Sequence, residues 1–254
     1  MLPVFSMRLF LILALLPLAT HARPGCFDNW FCFTLTPTEG QYDVVLTRKQ
    51  PYPVVVTLKP GSIGSTAIVQ ALGNNTPHTL GQVNKPSAFW HNMRISWNAG
   101  TAEATHNDTV RYDYPIKNRK ISIVQGFNGA FSHTGRSRYA VDFDVPVGTP
   151  VFAARRGQVI DTEASHNRGG PTENYAPYAN YVVVLHDDGT TGEYYHLKQG
   201  GIAVKRGEHV ARGDLLGYSG ETGFASLPHL HFGVYRINSQ GQFETVMFRF
   251  ADTN

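Results

Sequence analysis

A chain of 254 residues is long enough for one large β domain or two modest ones, and too long for a disulfide-stapled mini-protein. Its 25 glycines, 15 prolines and only 16% charged residues favour strands and turns over a helical bundle or a disordered chain. A formal net charge of only +3, without a Lys/Arg-rich run, excludes a typical nucleic-acid-binding protein.

The first 22 residues have the layout of a secretory signal peptide. Arg8 precedes an almost wholly apolar run at 9–19, about half of the roughly 20 residues that a membrane-spanning helix needs. Small residues follow at the positions that a signal peptidase reads, so cleavage is expected after Ala22. An uncleaved N-terminal anchor is the alternative. The mature chain is expected to be periplasmic or extracellular, where Cys26 and Cys32 are expected to form a disulfide.

Residues 23–115 are expected to form a small β-sandwich-like module. Runs rich in β-branched and aromatic residues predict strands at 42–46, 53–58 and 94–97, separated by Gly- and Asn-rich turns. No catalytic constellation is visible in this half, and its scattered histidines are interpreted as surface or packing residues: His78, His91 and His106. Residues 112–120, which include a proline and several charges, are interpreted as a linker.

The second half, residues 125–245, is also predicted to be a β domain. Strands are expected at 139–143, 151–154, 158–160, 180–185, 193–197 and 229–234. The long loop at 163–179 is expected to be either a groove wall or a plain surface excursion, with Arg168, Tyr175 and Tyr178 as its notable side chains. Three histidines that fall in loops or turns are interpreted as solvated surface residues: His166, His186 and His209.

The sequence His-Leu-His at 229–231 is the sharpest chemical signal in the chain. On a strand, positions i and i+2 face the same side, so both imidazoles are expected to point into one space. Leu230 and Phe232 alternate with the histidines and are expected to face the core. The histidine face is therefore predicted to line a groove or to face solvent.

Further ionisable residues lie in β-core patterns where an unpaired charge is costly. Asp142 is placed in the middle of an apolar strand, and His196 lies between Tyr195 and Leu197. His133 lies upstream, in a turn segment. A catalytic zinc site needs three protein ligands from His and carboxylate residues and one position open to water, and these residue types satisfy that requirement.

Over roughly residues 125–240 the chain resembles the secreted zinc metallopeptidases of the lysostaphin type, also called LytM-like endopeptidases. The resemblance lies in the order and spacing of several phrases: Asp142-Phe143-Asp144-Val145-Pro146-Val147-Gly148-Thr149-Pro150-Val151, Asn180-Tyr181-Val182-Val183-Val184, Tyr195-His196-Leu197, Gly217-Tyr218-Ser219-Gly220 and Pro228-His229-Leu230-His231-Phe232. It implies that the second half is a β-sheet groove domain of the lysostaphin-type peptidase fold. With the N-terminal β-sandwich-like module that the strand pattern predicts, the protein is expected to be all-β.

The resemblance also implies roles for individual residues. Asp142 and His231 would be zinc ligands, and His196 and His229 would be unligated catalytic residues. The family's first ligand lies four residues before the aspartate, where this chain has Arg138, which cannot ligate. His133, nine residues before Asp142, is expected to replace it through a short looped insertion, which costs little chain entropy. A metal-poor site with two ligands is the alternative.

The function implied is that of an exported, monomeric endopeptidase that holds one Zn²⁺ per chain and uses zinc-activated water to hydrolyse peptide bonds of bacterial peptidoglycan. Three alternatives remain: an inactive relative that binds peptidoglycan and regulates another hydrolase, a related β fold used in sugar-transport phosphorelay, and an exported sandwich protein whose histidines bind metal adventitiously. Because the ligands must be deprotonated, activity is expected to fail at acid pH. The bond that is cleaved, and which of His196 and His229 is the general base, are left open.

Overall fold

The structure is a computed structural model that describes residues 25–102, 104–117 and 120–251. The expected signal peptide, residues 1–22, lies outside these described residues. The described chain is built mainly from strands, which confirms the predicted all-β class. Its helical elements are a short α-helix, Pro86–Asn92, and two 3-10 helices, Gly135–Ser137 and Glu173–Tyr178. None of the helices within these ranges combines the length and apolar character needed to cross a bilayer.

The N-terminal part forms two antiparallel sheets. Its elements in chain order are β1 (Gly25–Phe27), β2 (Phe31–Pro37), β3 (Tyr42–Arg48), β4 (Val54–Leu58), β5 (Ile68–Leu72), β6 (His78–Val83), α1 (Pro86–Asn92) and β7 (Ile95–Ala99). One sheet has the order β1-β2-β3-β6 and the other β5-β4-β7. Strands β3, β4 and β7 correspond to the three strands that the sequence predicts in this half.

A single hydrophobic core joins these two sheets. Phe31 and Phe33 of β2 are fully buried with Val54 and Val56 of β4, so the core-facing positions alternate along each strand. Phe89 of α1 closes the same core. The predicted β-sandwich-like module is therefore confirmed. The expected disulfide between Cys26 and Cys32 is also present, and it links β1 to β2.

The C-terminal part is built around an eight-stranded sheet. Its strands are β8 (Arg111–Tyr112), β9 (Ile123–Gln125), β10 (Val141–Asp144), β11 (Pro150–Phe152), β12 (Gly157–Glu163), β13 (Gly169–Gly170), β14 (Tyr181–Leu185), β15 (Thr191–Tyr195), β16 (Leu197–Ile202), β17 (His209–Val210), β18 (Leu215–Ser219), β19 (Gly223–Phe224), β20 (His229–Ile237), β21 (Phe243–Thr245) and β22 (Arg249–Phe250). The large sheet has the order β17-β12-β14-β15-β20-β10-β9, and β21 pairs with β20. Strands β11, β18 and β16 form a smaller sheet beside it.

The core of this part lies on one face of the large sheet. Phe143 of β10, Tyr194 of β15 and Phe232 of β20 are each at most 1% exposed and belong to one apolar cluster. Val151 of β11 and Leu216 of β18 join the same cluster from the smaller sheet. Packing on this face leaves the opposite face of β10, β15 and β20 free to carry polar side chains.

The structure corrects three sequence interpretations. Residues expected to form a linker are packed, because Tyr112 and Ile116 are buried in the C-terminal core. His196 is not within a strand but in the bend between β15 and β16, with a left-handed φ of 64°. His186 is not a solvated surface residue: it is 3% exposed, and its Nδ1 hydrogen-bonds to the Arg156 carbonyl at 2.8 Å.

The two parts contact each other directly. The Arg206 guanidinium lies 5.3 Å from the centroid of the Trp30 ring and also pairs with Asp161 of β12. Gly207 approaches the N-terminal part so closely that a Cβ atom there would lie 2.5 Å from the Tyr52 hydroxyl. The N-terminal module thus contacts the connection between β16 and β17.

Candidate metal centre and active site

Two neighbouring strands place Asp142 and His231 opposite each other. Strands β10 and β20 are antiparallel, and their register pairs Asp142 with His231 and Asp144 with His229. Leu230 and Phe232 are fully buried in the core, as the alternation in this strand predicts. His231 and Asp142 therefore project from the other face of the sheet, where Asp142 is still only 5% exposed.

The loop after β9 brings a second imidazole to this point. His133 is completely buried, and its Nε2 lies 3.1 Å from Asp142 Oδ1 and 3.3 Å from His231 Nδ1. His231 Nδ1 lies 2.8 Å from the same carboxylate oxygen. Arg138 instead donates from Nε to the Gly135 carbonyl at 3.2 Å. The structure thus brings together the three residues predicted as ligands. Arg138 is not part of this cluster.

The spacing of these three atoms fits a small divalent cation. A tetrahedral zinc ion with bonds of about 2.0–2.1 Å to nitrogen or oxygen separates its ligand atoms by about 3.3–3.4 Å, and the observed separations are 2.8–3.3 Å. Each histidine uses its other ring nitrogen elsewhere: His133 Nδ1 donates to the Gly126 carbonyl at 2.9 Å, and His231 Nε2 to the Tyr235 hydroxyl oxygen at 2.9 Å. The atoms that converge then carry lone pairs, and such a donor set is stable when a cation lies among them.

His196 and His229 form a second imidazole pair beside this cluster. Their ring centroids are 4.5 Å apart, and His229 Nε2 lies 3.8 Å from Asp142 Oδ1. His196 Nδ1 donates to the Thr222 carbonyl at 2.7 Å, and His229 Nδ1 donates to the Leu227 carbonyl at 2.8 Å. These contacts fix both tautomers and leave each Nε2 available for proton transfer.

Burial and the neighbouring side chains together set the protonation states of the residues in the site. Burial and the neighbouring His229 and His231 lower the pKa of His196 to about 3, and burial also lowers the pKa of His229. For Asp142, burial alone would raise the pKa, but the facing imidazoles of His133 and His231 hold it well below the ordinary value. At neutral pH the site therefore holds an ionised carboxylate, and His196 and His229 are neutral bases.

A cleft with both apolar and polar lining residues opens beside these groups. It is lined by Val124, Phe131, Phe224 and Leu227, together with Asp142 and His229. The rings of Phe131 and Phe224 contact each other with centroids 5.3 Å apart, although Phe131 is 58% exposed. Exposed apolar side chains next to a polar cluster are typical of a ligand cleft. The 163–179 loop lies beside this cleft, because its strand β13 pairs with β19, which carries Phe224.

Two residues that contact the expected ligands were not identified from the sequence. Tyr235 is four positions after His231 on β20, so the two-residue period of a strand places both on one face, and this signal was available. Gly233 between them leaves room, because a Cβ atom there would lie 2.6 Å from the Tyr235 ring. Gln125 donates to Asp142 Oδ2 at 3.0 Å, and no local pattern marks it.

The fold and the site together define a β-sheet protein with a buried His-Asp-His cluster of the kind that metallohydrolases use. Residues 136–243 match the model of Peptidase family M23, so the chain contains a domain of this metallopeptidase family. The match includes Asp142, His196, His229 and His231, and it begins three residues after His133. The predicted family is confirmed.

Several characterised proteins are similar to this chain. Peptidoglycan DD-endopeptidase ShyA of Vibrio cholerae is 37% identical over 124 residues, which are 47% of this chain and 26% of that protein. Lysostaphin of Staphylococcus simulans is 35% identical over 99 residues, 39% of this chain and 18% of that protein. The crystallised lysostaphin catalytic domain superposes with a TM-score of 0.32 at 29% identity, covering 43% of this chain and 74% of that one. The chain thus matches about a quarter or less of the length of these two curated relatives.

Proposed function

We propose that this protein is a zinc-dependent endopeptidase that is exported and hydrolyses peptide bonds of bacterial peptidoglycan. The observation that carries the proposal is the convergence of His133 Nε2, Asp142 Oδ1 and His231 Nδ1 within 2.8–3.3 Å of one another in a Peptidase family M23 domain. In the proposed organisation, residues 1–22 are the signal peptide, 23–115 the N-terminal module and 125–245 the peptidase domain of a monomer.

His133, Asp142 and His231 would hold the zinc ion. Zinc bound by two imidazoles and one carboxylate supplies a Lewis acid that polarises a carbonyl and lowers the pKa of water. His196 and His229 are neutral and keep their Nε2 atoms free. One of them would take the proton of the attacking water at its Nε2, and the other would donate to the developing oxyanion or to the leaving amine once that proton has been passed to its own Nε2.

The substrate assignment has two supports. The relatives ShyA and lysostaphin are a peptidoglycan DD-endopeptidase and a staphylococcal antimicrobial peptidase. The cleft beside Asp142 and His229 is open at the surface and apolar along one side, through Val124 and Leu227. Exposed apolar side chains beside polar groups can contact the apolar parts of a bound peptide.

The test is a turbidity assay on purified peptidoglycan, with and without a chelator, combined with elemental analysis of the protein. We expect about one zinc per chain and clearing that the chelator abolishes and added zinc restores. Full zinc occupancy without clearing would support the inactive peptidoglycan-binding relative instead. A protein that binds no zinc and clears nothing would refute the proposal. Mass analysis of the fragments released from defined peptidoglycan would identify the bond.

A further inference from the structure

Gln125, at the end of β9, contacts both an expected metal ligand and the loop that carries another. Its amide nitrogen donates to Asp142 Oδ2 at 3.0 Å and to Ser132 Oγ at 2.8 Å. Its Oε1 accepts hydrogen bonds from the backbone N–H groups of Phe131 at 3.0 Å and Ser132 at 3.3 Å. Both ends of the amide are thus used, on Asp142 and on the two residues that directly precede His133.

The backbone supports this placement. Strands β9 and β10 pair Gln125 with Asp142, so the amide starts opposite the carboxylate that it contacts. Gly129 lies against the Gln125 side chain so closely that a Cβ atom at position 129 would be 2.1 Å from Gln125 Cγ. The loop then closes, because the His133 backbone N–H donates to the Gly129 carbonyl at 3.1 Å and its Nδ1 to the Gly126 carbonyl at 2.9 Å.

We infer that Gln125 is a positioning residue of the metal centre. It aligns the Asp142 carboxylate and fixes the loop so that His133, nine residues before the aspartate, reaches the position next to His231. A longer connection has more conformations, so a ligand on it needs a restraint that a ligand on the strand itself does not. The inference rests on the proposed function, because it assumes that His133 and Asp142 bind metal.

The first test replaces Gln125 with a side chain of similar length that cannot hydrogen-bond. Partners that orient metal ligands typically change metal affinity by about 10–100-fold when they are removed. Gln125→Met is therefore expected to weaken zinc binding by that factor in a chelator-competition titration and to change the visible absorption of the Co²⁺-substituted protein. The melting temperature of the metal-free protein is expected to stay near that of the wild type. Gln199→Met is the matched control, since Gln199 is exposed and donates only to the Ser165 carbonyl.

A second variant, at Gly129, disturbs the position of the Gln125 side chain without changing Gln125 itself. Gly129 does not have a left-handed φ, so Gly129→Ala is allowed by the backbone, but its Cβ would displace Gln125. It is expected to lower zinc affinity as Gln125→Met does. The double variant is expected to bind zinc no more weakly than the weaker of the two single variants, because both changes remove one interaction. If one single variant is poorly folded, the zinc affinity of the other single variant still tests the inference.

The outcomes separate the inference from the proposed function. If the wild type binds zinc and hydrolyses peptidoglycan, while Gln125→Met binds zinc within twofold of the wild type, the positioning role is wrong and the proposed function stands. Fully additive losses in the double variant would also overturn it. If the wild type binds no zinc, both fall together.

Discussion

The proposed metal site differs at one position from the pattern expected for the lysostaphin-type peptidases. Arg138 occupies the position four residues before Asp142, and its guanidinium lies 5.7 Å from the Tyr139 ring centroid rather than in the site. His133, which lies in a turn segment nine residues before Asp142, occupies the site and is fully buried there. His133 is therefore the proposed first ligand, because it is the side chain that reaches Asp142.

We expect His133→Ala to lose zinc and Arg138→Ala to keep it. Removing His133 leaves two protein ligands, too few for a catalytic zinc site, whereas Arg138 makes no contact with Asp142 or His231. Elemental analysis of both purified variants checks this. Full zinc occupancy in His133→Ala would show that another residue is the ligand.

The other residue-scale prediction concerns His196 and His229. Each keeps one nitrogen bound to a backbone carbonyl and one free, so neither is needed to hold the cation. His196→Ala and His229→Ala are each expected to lower kcat by about 10²–10⁴-fold while one zinc per chain is retained. Peptidoglycan hydrolysis and zinc content are measured on the same preparation. Zinc lost together with activity would contradict the assignment of these histidines as unligated.

At the scale of elements, β20 contributes side chains to the site from one face and to the core from the other. His229, His231 and Tyr235 lie on the face of the site, and Leu230, Phe232 and Val234 on the face of the core. The strand pairs with β10 on one side and β15 on the other, so it is fixed along its length. This pairing on both sides holds the site residues of β20 in place.

Removing a core side chain from β20 is expected to cost stability. Phe232 is fully buried and contacts the Tyr194 ring at 5.0 Å, so Phe232→Ala should lower the free energy of unfolding by about 3–5 kcal/mol. Urea denaturation measures this. Phe131→Ala is the matched control, because its ring is 58% exposed and its loss should change stability by about 1 kcal/mol or less. Equal effects of the two substitutions would contradict the packing.

At the scale of the whole molecule, a buried carboxyl lies under the contact between the two parts. Glu193 of β15 is 2% exposed, and it accepts hydrogen bonds from Tyr195 at 2.5 Å and Thr191 at 2.8 Å. Thr191 itself lies against Gly100 at the end of the N-terminal module. Burial, with the nearby Asp161 charge, raises the pKa of Glu193 to about 7 despite these hydrogen bonds.

This pKa predicts a pH dependence of stability. The folded protein keeps the proton on Glu193 up to about pH 7, whereas the unfolded chain releases it near 4.5. The contribution of Glu193 to the free energy of unfolding is thus fully present below pH 4.5. The free energy of unfolding then falls by up to about 3 kcal/mol as the pH rises to 7. Urea unfolding at several pH values should show this fall in the wild type and a flatter profile in Glu193→Gln. An unchanged slope in the variant would assign the pH dependence to other groups.

The sequence by itself determined what depends on local order. The alternation in 229–234 predicts which side chains of β20 face the core. The phrases around Asp142, His196 and His229–His231 carry the resemblance to the family. Three strands of the sandwich, β3, β4 and β7, and the Cys26–Cys32 pair were also predictable. These features follow from side-chain periodicity and short chain distances, which a linear sequence records directly.

Only the tertiary structure decided what depends on contacts across the chain. It placed Tyr112 in the C-terminal core, turned the backbone at His196 and buried His186 beneath Arg156. The family resemblance leads us to expect that His133 and His231, 98 residues apart, will converge, but their actual contact and the contacts of Gln125 arise from sheet register and loop closure. Such contacts depend on the positions of whole strands, so no short segment of sequence carries their signature.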